Sequence, residues 1–175
     1  MSEGILLESI ARATVLDERA RVARLEAALP QIAAVLEGER DPIALQSTLA
    51  CLLYETLAQA SFAGFYRRVG PAMLAVGPYQ GPMGCLRIDF SRGVCGACAR
   101  TGEMQLVPDV HAFPGHISCD AGARSELVLP VFGPGSELKA VLDLDSRTPD
   151  AFSAREAALL AGLLARVFGP QVDWR

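Results

Sequence analysis

"SELVLPVFGPGSELKAVLDLDS", Ser125 to Ser146, is the stretch that decides the fold. Two apolar, Leu- and Val-rich runs, Ser125 to Phe132 and Leu138 to Ser146, flank the turn-forming segment Gly133-Pro134-Gly135-Ser136-Glu137. Such a pair reads as an antiparallel hairpin. Beyond it lies the clearest helix signature of the chain. Ser153 and Glu156, three residues apart, make a capping box ahead of an apolar run to Phe168, and Gly169-Pro170 stops it. Upstream, Ser61 to Val69 and Ala72 to Gln80 read as strands around a Gly70-Pro71 turn, and Cys85 to Phe90 as a short strand. Val94 to Arg100 reads as a helix ended by Gly102.

The N-terminal part is helical. Val22, Leu25 and Leu29 fall at helical spacing in the segment from Asp17 to Leu29, and Pro30 is expected to interrupt it. A turn at Gly38 to Pro42 leads to a second, mostly apolar helix over Ile43 to Ala58. Helices, then strands, then a helix imply an α+β fold, a central mainly antiparallel sheet with helices packed on one face. No linker or repeat divides the chain. The expected layout is an N-terminal helical extension (1–30), one domain (31–170) and a short tail (171–175).

The chain has 175 residues, with 51% hydrophobic and 21% charged, the balance of a compact globular domain. Its net charge of −4 comes without any basic stripe, which argues against nucleic acid as a partner. The longest apolar runs are too short to span a bilayer, and the acidic start "MSEGILLESIARATV" does not read as a secretory signal. A cytoplasmic location follows as the expectation, with thiols kept reduced unless a reaction oxidises them. The five cysteines are an odd number, which also argues against a closed set of structural disulfides.

Three of those cysteines and both histidines lie between Gly93 and Asp120. Cys95 and Cys98 form C-x-x-C, followed by His111, His116 and Cys119. A zinc site would want a second close pair, and a knuckle turn rather than the helix-like "VCGACART". A thioredoxin-like site would want a strand before the C-x-x-C within a parallel unit, which is missing. Packing of small apolar thiols in the core is the plain alternative, best suited to Cys51 inside "LACLLYE" and open for Cys98.

"GCLRI", "SRGVCG", "DVHAFPGHISCD", "RSELVLPV" and "AVLDLDS", in this order and spacing, closely resemble the free methionine-R-sulfoxide reductases, single GAF-domain enzymes acting on the free amino acid. The resemblance runs from about Ile32 through the last helix. It implies a GAF-like fold and three working cysteines. Cys119 is the nucleophile, Cys85 the main resolving thiol, and Cys95 a third partner in or near the exchange. It also implies Glu126 as the acid that protonates the departing oxygen. Tyr66 and Phe62 become walls around the methylthio group, with Phe62 standing where the family usually has tryptophan. Cys51 and Cys98 receive no role from the resemblance, and Cys98 is a departure able to intercept an oxidised neighbour.

The chemistry suits these residues. A sulfoxide sulfur is a soft electrophile that a thiolate attacks, and a carboxylic acid in a dry pocket can protonate the oxygen. The resulting sulfenic acid condenses with a second thiol, and a thioredoxin-type dithiol restores the pair. Neither metal nor organic cofactor is expected. Asp143 and Asp145, two apart and so on one face of a strand, suit the substrate ammonium group. Backbone N–H groups at Gly93 and Val94, at a helix start, suit its carboxylate. His116, three residues from Cys119, is a candidate to lower that thiol's pKa, or simply a loop-shaping residue. The expected partners are free methionine sulfoxide, thioredoxin and a second copy of the chain, a homodimer that the resemblance suggests. Two other readings stay open: a GAF module that binds a small ligand or senses redox state without turnover, and a zinc protein.

Overall fold

Asp17 caps the first helix, α1 (Glu18–Val35), its side chain accepting from the Ala20 N–H. Residues 10–11, 14–116 and 121–174 are described in this computed structural model. Pro30 lies inside α1 rather than ending it. The reason is the buried stripe Leu25, Ala28, Ile32 and Ala33, whose helical spacing crosses the proline and holds both halves against the core. The boundary drawn at 30/31 therefore falls within a helix, and its buried residues share one core cluster with the rest of the chain. α2 (Pro42–Thr56) starts with proline in the first turn, and Asp41 accepts from the N–H groups of Ile43 and Ala44.

Six strands follow: β1 (Phe62–Gly70), β2 (Met73–Gln80), β3 (Arg87–Asp89), β4 (Gln105–Val107), β5 (Ser125–Phe132) and β6 (Leu138–Ser146). They form one sheet in the order β3-β2-β1-β6-β5-β4, and all neighbours are antiparallel. The expected hairpin is β5–β6, with Glu126 opposite Asp145 and Val128 opposite Asp143. β4 escapes a sequence reading because three residues cannot display a period.

The period-two alternation of the strands separates two cores. Ala63, Phe65, Leu127, Leu129, Val131, Ala140, Leu142 and Leu144 face α1, α2 and the last helix, α4 (Ala154–Val167). Phe62, Tyr66, Val128 and Val141 share the second core with Val94, Cys95, Cys98 and Ala99 of α3 (Gly93–Thr101). One detail of the expected architecture is thereby corrected. Three helices cover one face as anticipated, but α3 covers the other, because its apolar residues Val94, Cys95, Cys98 and Ala99 pack on Phe62, Tyr66, Val128 and Val141 there. α3 ends at Gly102, whose φ of 70° is the left-handed conformation that closes a helix. α4 begins with the anticipated capping box, Ser153 and Glu156 each accepting from the other's backbone N–H. No helix among the described residues is long and apolar enough to cross a membrane.

Candidate functional site

Sheet register assembles the site. Residues opposite one another on neighbouring strands share a face. Phe62, Asp145 and Glu126 make one row across β1, β6 and β5. Gly64, Asp143 and Val128 make the next, and Tyr66 lies opposite Val141 beyond them. Three carboxylates and two aromatic rings thus stand on the face that α3 roofs. All five line one cavity with Gly93, Val94, Cys95 and His116.

The electrostatics are those of a dry, crowded acid cluster. Glu126 is 7% exposed and Asp143 5%. Burial pushes the Glu126 carboxyl up to about 8; Asp145 adds to the rise, and hydrogen bonds involving Asp143 and Cys95 oppose it. Asp143 is raised well above the usual carboxylate range, first by burial and then by Glu126. Its Oδ1 is buried without a hydrogen-bond partner among the described residues. The Cys95 thiol donates to Glu126 Oε1 over 3.7 Å. Burial, then Asp143 and Glu126, keep Cys95 protonated by raising its pKa. Cys98, on the same helix, is pushed up to about 12, by burial first and then by Asp143 and Glu126. Such thiols are poor nucleophiles at neutral pH.

The aromatic side of the cavity is a short stack. The rings of Phe62 and Tyr79 lie 5.3 Å apart, and those of Phe62 and Tyr66 6.5 Å apart. Burial, then Asp143, raise the pKa of Tyr66, so its hydroxyl stays protonated. Gly84, which the sequence reading missed, makes this arrangement possible. A Cβ there would lie 2.5 Å from the Tyr66 hydroxyl and 3.5 Å from the Phe62 ring. Its only signal in the sequence is its place beside Cys85 in "GPMGC".

Cys85 is disulfide-bonded, while Cys51, Cys95 and Cys98 are free. Cys119, the expected nucleophile, lies outside the described residues. His116 lines the cavity, and burial, followed by His111, lowers its pKa, so it is neutral near pH 7. The Gly93 N–H, expected to meet a substrate carboxylate, donates instead to the Gly115 carbonyl over 3.0 Å. That bond ties the loop ahead of His116 to the start of α3 and removes one of the two expected donors in this conformation. The cavity is about 30 Å³, far below the roughly 300 Å³ and upward of pockets that enclose small molecules. Its free space holds little more than a water.

The metal reading changes its residues. Cys95, Cys98, His111 and His116 do not converge as ligands among the described residues, and Cys119 of that reading lies outside them. Among the described residues, the metal-capable atoms that converge belong to Cys95, Glu126 and Asp143, all within 4.8 Å of one another.

Comparison with known proteins agrees with this architecture. The model of the GAF domain matches residues 39–167. A curated relative named free methionine-R-sulfoxide reductase, from Escherichia coli, is 38% identical over 134 residues, covering 77% of this chain and 80% of that protein. The crystal structure of free methionine-R-sulfoxide reductase from Neisseria meningitidis in complex with its substrate superposes with a TM-score of 0.80. It is 34% identical, covering 91% of this chain and 93% of that one. The reduced form of the Staphylococcus aureus enzyme gives a TM-score of 0.78 at 34% identity, covering 82% and 92%. With its curled antiparallel sheet, roofed acid cluster and these relatives, the chain belongs to the GAF-domain family, in the branch of the free methionine-R-sulfoxide reductases.

Proposed function

We propose that this protein reduces free L-methionine (R)-S-oxide to L-methionine by thiol chemistry, and that Cys119, Cys85, Cys95 and Glu126 carry it. The observation that supports this reading most is the convergence of Glu126, Asp143, Asp145, Phe62 and Tyr66 on one cavity roofed by Cys95. A pocket for an oxidised amino acid needs negative charge for its ammonium group, an apolar wall for its methyl group and an acid for its oxygen. All three are present.

The Cys119 thiolate attacks the sulfoxide sulfur. Glu126, held neutral up to about pH 8 by burial, gives its proton to the oxygen. The hydroxyl then passes from the substrate sulfur to the Cys119 sulfur as the bond between the two sulfurs breaks, so that methionine leaves and Cys119 becomes a sulfenic acid. The Cys85 thiol condenses with it, releasing water and forming a disulfide; two thiols are oxidised as one sulfoxide is reduced. That Cys85 is engaged in a disulfide supports a redox-active role for its thiol. A thioredoxin dithiol takes over the oxidation and restores both thiols. Asp143 and Asp145 receive the ammonium group, whose charge favours their ionised forms. Val94, beside the engaged Gly93, offers the remaining N–H to the carboxylate at the start of α3. The protein works in the cytoplasm as a homodimer.

The test is oxidation of NADPH coupled through thioredoxin and its reductase, with each sulfoxide epimer supplied separately and product resolved. Turnover of the free R epimer alone is expected, and it vanishes in Cys119→Ser. Binding without turnover would instead favour a ligand-sensing module.

A further inference from the structure

Between its roof and its sheet, the cavity has the composition of a metal site. Cys95 Sγ, a Glu126 oxygen and an Asp143 oxygen lie within 4.8 Å of one another, and Sγ to Oε1 is 3.7 Å. In a tetrahedral zinc centre, with Zn–S near 2.3 Å and Zn–O near 2.0 Å, neighbouring S and O ligands sit about 3.5 Å apart. A contraction of about 1.5 Å at most therefore closes the set. A second observation points to a ligand independently. Asp143 is 5% exposed, it lines the cavity, and its Oδ1 is buried without a partner among the described residues. Buried polar atoms are rarely left so, and a cation is one natural partner. The 30 Å³ of free space, too small for an amino acid, admits an ion with a bound water.

We propose that Cys95, Glu126 and Asp143 form an inhibitory site for a thiophilic divalent cation, with Zn²⁺ as the probe. A thiolate and two carboxylates make a mixed soft and hard donor set that selects zinc or cobalt over calcium or magnesium. On ligation the thiol proton, and any proton on the two carboxyls, passes to solvent. The fourth position opens into the cavity, where water completes the shell. Cys95 is free while Cys85 is disulfide-bonded, so the oxidised protein binds the ion as well as the reduced one. Inhibition alone rests on the proposed reductase function: the ion occupies the carboxylates assigned to substrate. The binding site itself does not depend on that reading.

The oxidised protein, free of added thiols, is titrated with Co²⁺ and followed by the thiolate-to-cobalt charge-transfer band. A 1:1 band is expected that Zn²⁺ abolishes and excess Ca²⁺ or Mg²⁺ leaves intact. Asp143→Asn weakens Co²⁺ at least tenfold, Cys95→Ser removes the band, and Cys51→Ser changes neither. Zinc-edge absorption on the wild-type protein, which needs no variant, reports one sulfur and otherwise oxygen ligands. In the coupled assay Zn²⁺ raises the apparent KM for the sulfoxide. No band, a band that survives Cys95→Ser in folded protein, or a zinc shell without sulfur overturns the site. Turnover without ion binding leaves the reductase function standing and sinks this inference. Ion binding without turnover does the reverse.

Discussion

At the residue scale, the proposed role of Glu126 as the acid fixes the pH behaviour to be tested. The carboxyl is a proton donor only while neutral, and burial holds it so up to about 8. The reductase rate therefore falls as pH rises through about 8, and this falling limb disappears in Glu126→Gln. The same variant lowers kcat by about 100-fold or more, the usual range for a lost general acid. Stability moves in the same direction. A carboxyl whose folded pKa exceeds its ordinary value of 4.5 binds its proton more tightly when folded. Its contribution is full below about pH 4.5 and is lost as pH rises through about 8. Urea unfolding at pH 5 and pH 9 should show Glu126→Gln gaining on wild type only at the higher pH. Gln46 offers a cleaner stability test. It is fully buried on α2, and both its side-chain polar atoms lack partners among the described residues. Gln46→Met, similar in volume, should raise stability by about 1 kcal/mol in thermal melts.

At the element scale, α4 is fixed to the rest of the fold through Glu156, which is fully buried. Arg21 of α1 reaches it from Nε at 3.3 Å and Nη2 at 3.4 Å, and Gln59 donates to it over 2.9 Å. The Ser153 N–H completes the set at 2.9 Å. Removing the guanidinium leaves a buried carboxylate without its charged partner. Arg21→Ala should therefore cost about 3 kcal/mol in chemical unfolding, against about 1 kcal/mol for Ser153→Ala, which removes one cap bond. Equal losses would mean that the capping box, not the ion pair, holds the helix. The capping box was legible because it is local, three residues apart. The Arg21 contact crosses 135 residues, and no pattern along the chain announces it. Pro30 teaches the same lesson in reverse, since a local rule ended α1 early and the packed stripe carried it on.

At the scale of the whole molecule, the small cavity and the disulfide occur together in this structure. With Cys85 bonded and Gly93 tied to Gly115, the space left is about 30 Å³. Substrate should consequently bind the reduced protein and not the oxidised one. Calorimetry with the sulfoxide on reduced Cys119→Ser, which cannot turn over, against oxidised wild type measures this directly. Equal affinities would show that the closure is unrelated to the disulfide. The two cores also make a whole-molecule statement: α1, α2 and α4 insulate one face of the sheet with hydrocarbon, leaving the other face to hold charge under α3.

The amino-acid sequence by itself determined most of the elements (β4 and the second half of α1 excepted), their order and the spacing that sets Asp143 and Asp145 on one side of β6, because these depend on neighbours a few residues away. Cap, turn and alternation signals are local. Tertiary structure alone decided that Glu126 stands beside Asp145, that Cys95 reaches down to Glu126 from the opposite roof, and that Gly93 is already engaged. Those facts depend on strand register and on how α3 docks, which are set by packing summed over the whole sheet. The unusual protonation of the site has the same origin. A carboxylate's chemistry changes only when burial and neighbouring charge act on it together, and both arrive with the fold.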